Sequence, residues 1–465
     1  MNLSKTHKIY LYNTLSREKE VFSPINMDEV RMYSCGPTVY DYAHIGNLRA
    51  YVFADVLRRT LLYNELKVKQ IMNITDIGHL TSDADSGEDK MTKGLLRDGK
   101  ELSLKNMREL AEFYTGKFKE DLEKLNIQMP DGFYFASDYV KEDIELIEKL
   151  EKKEYAYKTS DGIYFNTSKM SNYGMLWGGK REWNREGARI VENSEKKNGE
   201  DFALWKFNNK IGFPSPWGQG FPGWHIECSA MSMKFLGEQF DIHTGGIDLI
   251  PTHHTNEIAQ SESATGKKPF VKFWMHSEFI DIKNAKMAKS EGNFFKLSDI
   301  IKKEINPSTY RFWLLMGHYR TKLNFIWGAL EAAQVALKRL YNLYIELGDE
   351  VGKVNEEYQK KFRECINDDL NTPRGLSLLW DVIKDENVSP ADKKATILDF
   401  DKVLGLGFEN IKMEEIPEEI GKLIKERENA RADKNFKLSD ELREKINSLG
   451  FDIKDTESGQ KVFKI

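Results

Sequence analysis

Apolar and polar residues alternate from Glu29 to Cys35 and the run ends on Gly36-Pro37, which predicts a strand opening into a loop. From about Asn47 to Asn64 the spacing becomes helical, with Val52, Val56, Arg59 and Tyr63 on one face. Val68–Ile74 returns to a strand pattern. Strand, loop, helix, strand is the βαβ unit of a nucleotide-binding sheet. Met107, Leu110, Tyr114, Phe118, Leu122 and Leu125 then mark a long amphipathic helix. Between about 129 and 206 the chain is rich in Gly, Trp, Tyr and charge, including Trp177-Gly178-Gly179-Lys180-Arg181, and reads as an insertion. Apolar sheet-like sequence resumes near Phe221 and runs to about Ile282.

Beyond about Ser298 the pattern is mostly helical. Ser308–Leu315, Trp327–Leu347 and Val354–Asn367 have the spacing of a helix bundle. Asp368-Asp369-Leu370-Asn371-Thr372-Pro373 is a helix start, with proline near the first turn. Pro417–Leu449 is a long helical stretch charged with both signs, and Gly450–Ile465 predicts a hairpin turning at Ser458-Gly459. At 465 residues the chain exceeds one ordinary core. The expected class is α/β, with a Rossmann-like parallel-sheet catalytic domain over 1–128 and 207–282 interrupted by the insertion at 129–206. A connecting region over 283–330, a helical bundle over 331–415 and a small mixed α/β C-terminal domain over 416–465 would follow.

Composition narrows this only at the margins. Three widely separated cysteines, Cys35, Cys228 and Cys365, exclude a disulfide framework and fit a reducing compartment. No stretch has the length and apolarity of a membrane span, and the first eight residues lack a secretory signal's apolar segment, so the cytoplasm is expected. A formal net charge of −5 argues against a generic nucleic-acid coat protein but leaves local basic patches open.

Three places carry candidate chemistry. His253 and Glu257 stand four apart after Pro251, on one face of a helix, where they can share a metal. Cys228 and Cys35 are the other available donors, and two thiolates with an imidazole and a carboxylate suit Zn²⁺. The same cysteines also read as small core residues. His254 points elsewhere on the helix than Glu257 and suits second-layer support of the metal. His44-Ile45-Gly46-Asn47 opens the first helix, where backbone N–H groups and a histidine can meet phosphate. Lys286 and Lys289, in Lys286-Met287-Ala288-Lys289-Ser290, can neutralise a pyrophosphate leaving group or form a solvated basic turn.

Together, the segment Ser34-Cys35-Gly36-Pro37-Thr38-Val39-Tyr40-Asp41-Tyr42-Ala43-His44-Ile45-Gly46-Asn47, the run Gly223-Trp224-His225-Ile226-Glu227-Cys228-Ser229, Asp248–Glu262 and Lys286–Ser290 resemble the class I aminoacyl-tRNA synthetases, specifically their cysteinyl branch. The resemblance runs from about Lys8 to the C-terminus and includes Arg431-Ala432-Asp433-Lys434-Asn435-Phe436. It implies ATP-dependent activation of L-cysteine and transfer to the 3′-terminal ribose of tRNA(Cys), with Mg²⁺ accompanying ATP. It further implies one Zn²⁺ held by Cys35, Cys228, His253 and Glu257, with the substrate thiolate as an added ligand. Thr75, Trp224 and His243 would line or flank the cysteine pocket. His44, Gly46 and Asn47 would lie at the phosphates, with Lys286 and Lys289 on ATP. Three positions depart from the family pattern: Ala288 where serine is usual, Thr255 where glutamate is usual, and Ile247 where a third glycine often sits. A cysteine ligase acting on a small amine would share these motifs, but has no reason to carry residues 331–465 in this form. A non-catalytic tRNA-binding paralogue would be expected to have lost ligands or lysines. Nothing demands a dimer, and a monomer is expected.

Overall fold

The structure, a computed structural model, describes residues 8–78, 89–178, 194–282, 285–286, 294–411, 417–456 and 459–464, with backbone alone at 285–286 and along parts of the C-terminal hairpin. Strands β1 (Tyr10–Asn13) and β2 (Glu18–Val21) pair as an antiparallel hairpin. β3 (Val30–Ser34) opens the central sheet, α1 (Ile45–Tyr63) crosses over, and β4 (Val68–Ile74) returns parallel with Val30 opposite Val68. Helices α2 (Lys90–Arg97) and α3 (Leu104–Lys124) lead to β5 (Gly132–Phe135), the parallel edge strand. After α4 (Val140–Lys152) the chain leaves to build an antiparallel sheet from β6 (Ala156–Lys158), β7 (Gly162–Phe165), β8 (Phe202–Phe207) and β9 (Gly220–Pro222). It returns through α5 (Trp224–Leu236), β10 (Phe240–Gly246), α6 (Thr255–Thr265) and β11 (Val271–Ser277).

The completed central sheet has the order β11-β10-β3-β4-β5, every pair parallel. Its direction of growth reverses between β3 and β10. In such sheets the crevice beyond the C-terminal strand ends, at the reversal, is the natural ligand site. Cys35 follows β3 directly, and its N–H donates to Thr244 O of β10 at 3.1 Å.

The next segment forms a three-stranded sheet in the order β13-β12-β14, from β12 (Ile280–Ile282), β13 (Ala285–Lys286) and β14 (Leu323–Phe325), with helices α7 (Leu297–Lys302) and α8 (Pro307–Leu315) inserted between β13 and β14. A bundle of α9 (Trp327–Glu346), α10 (Glu356–Ile366), α11 (Thr372–Lys384) and α12 (Pro390–Leu404) follows. Its junction with α1 is polar and buried. Asp55 accepts from Arg59 at 2.8 Å and from Arg311 at 2.6 Å, and Arg311 also donates to Leu404 O at 2.7 Å. Two arginines on one carboxylate oxygen, the Gln128 N–H on the other at 2.8 Å, and extra carbonyl partners compensate the cost of burying these charges.

Helices α13 (Glu418–Ala432) and α14 (Phe436–Ser448) with the hairpin β15 (Phe451–Thr456) and β16 (Gly459–Lys464) close the chain. They share a core of their own from Ile420, Leu423, Leu442, Ile446, Phe451 and Ile453. Arg427, fully buried, donates to both oxygens of Asp455 at 2.8 and 3.0 Å.

Four details differ from the sequence expectation. β5 lies inside the stretch read as an insertion, yet it is a strand of the central sheet, and the antiparallel sheet runs on to Pro222. The apolar stretch from Phe221 to Ile282 holds helices α5 and α6 as well as strands, because both helices are buried on nearly all sides and lack a polar face to reveal them. The helix after Pro251 starts as one π-helical turn, Ile250–His254, before α6. The span 417–449 is two helices, broken at Asp433–Asn435 where Lys434 takes φ 56°.

Candidate active site and metal centre

The loop leaving β3 is laced onto the end of β4. Gly36 N donates to Asn73 Oδ1 at 2.8 Å, Thr75 N to Pro37 O at 3.1 Å, and Val39 N to Thr75 O at 3.2 Å. Gly36 lies so close to β4 that a Cβ there would fall 1.6 Å from Asn73 O. This contact fixes Cys35 at the sheet reversal. Buried Thr75 sits in the same lacing, its hydroxyl accepting from Asn73 Nδ2 at 3.1 Å.

Cys35, Cys228, His253 and Glu257 converge there, one donor atom from each lying within 4.8 Å of every other. β3 supplies the first, α5 the second, and the π turn with α6 the remaining two. His253 Nε2 stands 3.0 Å from Glu257 Oε1, but the two are not aligned for a hydrogen bond, so both remain buried without one. Buried polar atoms left unpaired are costly, and two that aim at one point fit a shared cation. A second grouping, Cys35, His243, His254 and Glu257, is also compact. There both histidines are engaged: His243 Nε2 lies 3.1 Å from Glu257 Oε2, and His254 Nδ1 lies 2.7 Å from His276 Nε2. The first set includes both thiols, so its donor chemistry fits a thiophilic divalent ion better.

The electrostatics point the same way. Burial pushes the Cys35 thiol up, and contact with Cys35 followed by burial pushes Cys228 well above its ordinary value. Burial would also raise Glu257, but His243 and His253 hold it down at about 2. Without a cation the two thiols resist ionisation. A divalent ion at their meeting point would reverse that preference.

Behind these groups lies a histidine shell of which sequence reasoning named His254 and His243 but missed His225 and His276. His225 Nδ1 lies 3.0 Å from His253 Nδ1. His254, at the end of the π turn, comes within 3.3 Å of Cys35 Sγ, a placement that suits the second-layer support expected of it. It passes contact through His276 to Thr14 Oγ1, 2.8 Å beyond. Burial pushes His225, His254 and His276 below their ordinary values and keeps them neutral. One trace was visible beforehand, since five of the nine histidines fall between 225 and 276. His243 is fully buried, stacked on Trp274 at 4.7 Å, and its polar contact is the Glu257 carboxylate. Trp224, at the start of α5, sets its ring 4.2 Å from that of His253 and walls the group from one side. Thr255 spends its hydroxyl on Ile250 O at 2.7 Å, the first residue of the π turn.

At the other end of the site His44 caps α1. Its Nδ1 accepts from Asn47 N at 3.1 Å, and Asn47 Oδ1 accepts from His44 N at 3.3 Å, a reciprocal capping box. With Nδ1 used as acceptor, a neutral His44 carries its proton on Nε2 and can donate outward. Gly46 lies in the first turn between them. Lys286 belongs to β13, opposite Asp281 of β12. Lys289 lies outside the described residues.

The family model for the class I (C) tRNA synthetase catalytic domain matches residues 21–335. A DALR domain matches 361–409, and a cysteinyl-tRNA ligase anticodon-binding domain matches 413–462. Cysteine–tRNA ligase 1 of Burkholderia lata is 45% identical over 461 residues, covering 97% of this chain and 96% of that protein. A cysteine–tRNA ligase of Treponema denticola is 44% identical over 493 residues, covering 98% and 99%. Among solved structures, a Mycobacterium tuberculosis methionyl-tRNA synthetase with methionyl-adenylate superposes with a TM-score of 0.55 over 82% of this chain and 90% of its own, at 14% identity, which speaks to the fold. The sheet order, the donor cluster at its reversal and these matches converge: the chain belongs to the cysteine–tRNA ligase family of the class I aminoacyl-tRNA synthetases.

Proposed function

We propose that the protein activates L-cysteine with ATP and transfers it to the 3′-terminal ribose of tRNA(Cys), using a zinc ion to recognise the thiol. The observation that carries this is the convergence of Cys35, Cys228, His253 and Glu257 at the reversal of the sheet that also presents the capped end of α1. When bound by those four side chains, zinc would favour a thiolate over a hydroxyl and so separate cysteine from serine. An apolar pocket alone separates such isosteres by only about a hundredfold.

The chain's own groups supply the rest. Trp224 and Thr75 wall the amino-acid pocket, and His243 orients Glu257 from behind. The carboxylate of cysteine attacks the α-phosphate in line, forming the acyl-phosphate bond as pyrophosphate leaves with Mg²⁺. His44 donates from Nε2 and Asn47 stands beside it, while the Gly46 backbone allows close approach of the phosphates. Lys286 and Lys289 neutralise the departing pyrophosphate. The ribose hydroxyl then takes the acyl group and AMP departs.

Residues 331–415 and 416–465 are assigned to the tRNA body and anticodon, in line with the matched DALR and anticodon-binding models. No helix among the described residues is long and apolar enough to cross a membrane, and the three cysteines are unpaired, which supports a reducing cytoplasm. A monomer completes the reading.

The decisive experiment is attachment of labelled cysteine to unfractionated tRNA with ATP and Mg²⁺. Robust charging is expected. No charging by folded, zinc-loaded protein would shift the assignment to a cysteine ligase acting on a small amine or to a non-catalytic paralogue.

A further inference from the structure

The loop His318–Thr321 is held from two sides. From α1, the guanidinium of Arg49, 3% exposed, donates to the carbonyls of Phe279, Tyr319 and Thr321 at 2.5, 3.1 and 2.5 Å, with His318 O at 3.4 Å. Among the described residues, all four of its hydrogen bonds go to main-chain oxygens. One turn along α1, the Phe53 ring stacks on Tyr319 with centroids 4.4 Å apart and planes 14° from parallel.

The second hold comes from the bundle. Asp369, 1% exposed, accepts from the Tyr319 hydroxyl at 2.6 Å and from Arg320 at 2.8 and 2.7 Å. Its own carbonyl meets His318 Nε2 at 2.8 Å, and its carboxylate also accepts from Tyr12 N at 2.9 Å. Asp369 and Leu370 both adopt left-handed backbone, φ 58° and 57°, between α10 and α11. Such conformations in consecutive non-glycine residues are costly and persist where surrounding bonds hold them.

What Arg49 joins gives the arrangement its meaning. It lies in the first two turns of α1, the helix capped by His44 and Asn47. Phe279, which it grips, precedes β12, the hairpin partner of the strand bearing Lys286. Farther along the chain, Phe295 O accepts from Ile45 N at 2.9 Å, so α1 also binds the chain ahead of α7.

We propose that Arg49 and Asp369 are positioning residues for adenylate formation: they clamp the His318–Thr321 loop between them, so that the seating of the helical bundle sets how the phosphate-facing end of α1 lies against the β12–β13 hairpin. This rests on the functional reading above. Arginine suits the task because one planar fork reaches carbonyls of two separate segments, which an ammonium group cannot do in the same geometry. A misplacement of about 1 Å at a reacting group costs on the order of a hundredfold in rate.

Tyr319→Phe and Arg49→Lys, singly and combined in the full-length zinc-loaded protein, test the clamp through cysteine-dependent ATP–pyrophosphate exchange. Tyr319→Phe keeps the stacked ring and removes only the hydroxyl that reaches Asp369. It is expected to lower kcat about tenfold, and Arg49→Lys about a hundredfold. The KM for cysteine should stay within about twofold and zinc should remain stoichiometric, since neither residue touches the metal group. The double variant should be no slower than Arg49→Lys, because both act through one loop. An unchanged kcat in folded Tyr319→Phe, multiplied effects in the double variant, or a parallel rise in KM for cysteine with zinc loss each overturns the proposal. If the unaltered protein shows no exchange, the functional reading fails instead.

Discussion

His225 Nδ1 and His253 Nδ1 face each other at 3.0 Å where α5 meets the turn ahead of α6. One of them must donate. Against burial, Cys228 and Glu257 hold His253 up at about 10, so a metal would have to displace its Nε2 proton; donation from Nδ1 to His225 would then set the tautomer that the proposed ligand needs.

His225→Ala is therefore expected to weaken zinc binding by about 10- to 100-fold in a chelator competition. Cys228→Ser should lose the metal outright on dialysis. Stoichiometric zinc retained by Cys228→Ser would remove that residue from the ligand set.

Gly36→Ala should be costly although it adds one methyl group. The new Cβ would meet Asn73 O of β4, a strand that cannot retreat without disturbing its pairing with β3 and β5. Overpacking of this kind costs about 1–3 kcal/mol. The expected result is a lower melting temperature and reduced zinc content together, because Cys35 is the preceding residue. Normal values of both would show that the loop can shift.

Asp121, half-buried on α3, gives a pH test away from the site. Burial holds its carboxyl up at about 6, with Lys124 pulling the other way, against an ordinary value of about 4. The folded state thus binds this proton more tightly than the unfolded chain does. The ionised group costs stability above pH 6, and the cost fades as pH falls from 6 to 4. Asp121→Asn should stabilise the protein at pH 7.5 by about 1 kcal/mol, after allowance for solvent screening, and by almost nothing at pH 4. Denaturation midpoints at the two pH values check this, and an equal gain at both would assign the effect to helix propensity.

Lys286→Ala and Lys289→Ala should each slow adenylate formation by about a hundredfold while leaving the KM for cysteine nearly unchanged. Equal losses in both parameters would argue that the lysines bind substrate uniformly rather than the transition state. Burst kinetics of pyrophosphate release separate the two.

Local pattern made parts of this architecture legible. Val68–Ile74 is the strand its sequence predicts, and the terminal hairpin forms with Thr456 opposite Gly459, Ser458 itself lying outside the described residues. The four donor residues could be nominated because His253 and Glu257 share a helical face and thiols are scarce in the chain. What stayed hidden is non-local. β5 is four residues long and declares itself only by pairing with β4. Thr14 and His276 meet across 262 positions, and the π turn at Ile250–His254 has no signature in the local apolar spacing.

The separate core of the last two helices and hairpin bears on how heat would disable the enzyme. Among the described residues, six buried apolar side chains with Ile424 packed on them and the Arg427–Asp455 pair are a slender reserve for this unit. Warming should melt that module while the central sheet stays intact. Over that interval the protein would still make cysteinyl-adenylate but would read its tRNA poorly, so fidelity to the anticodon would fail before catalysis does.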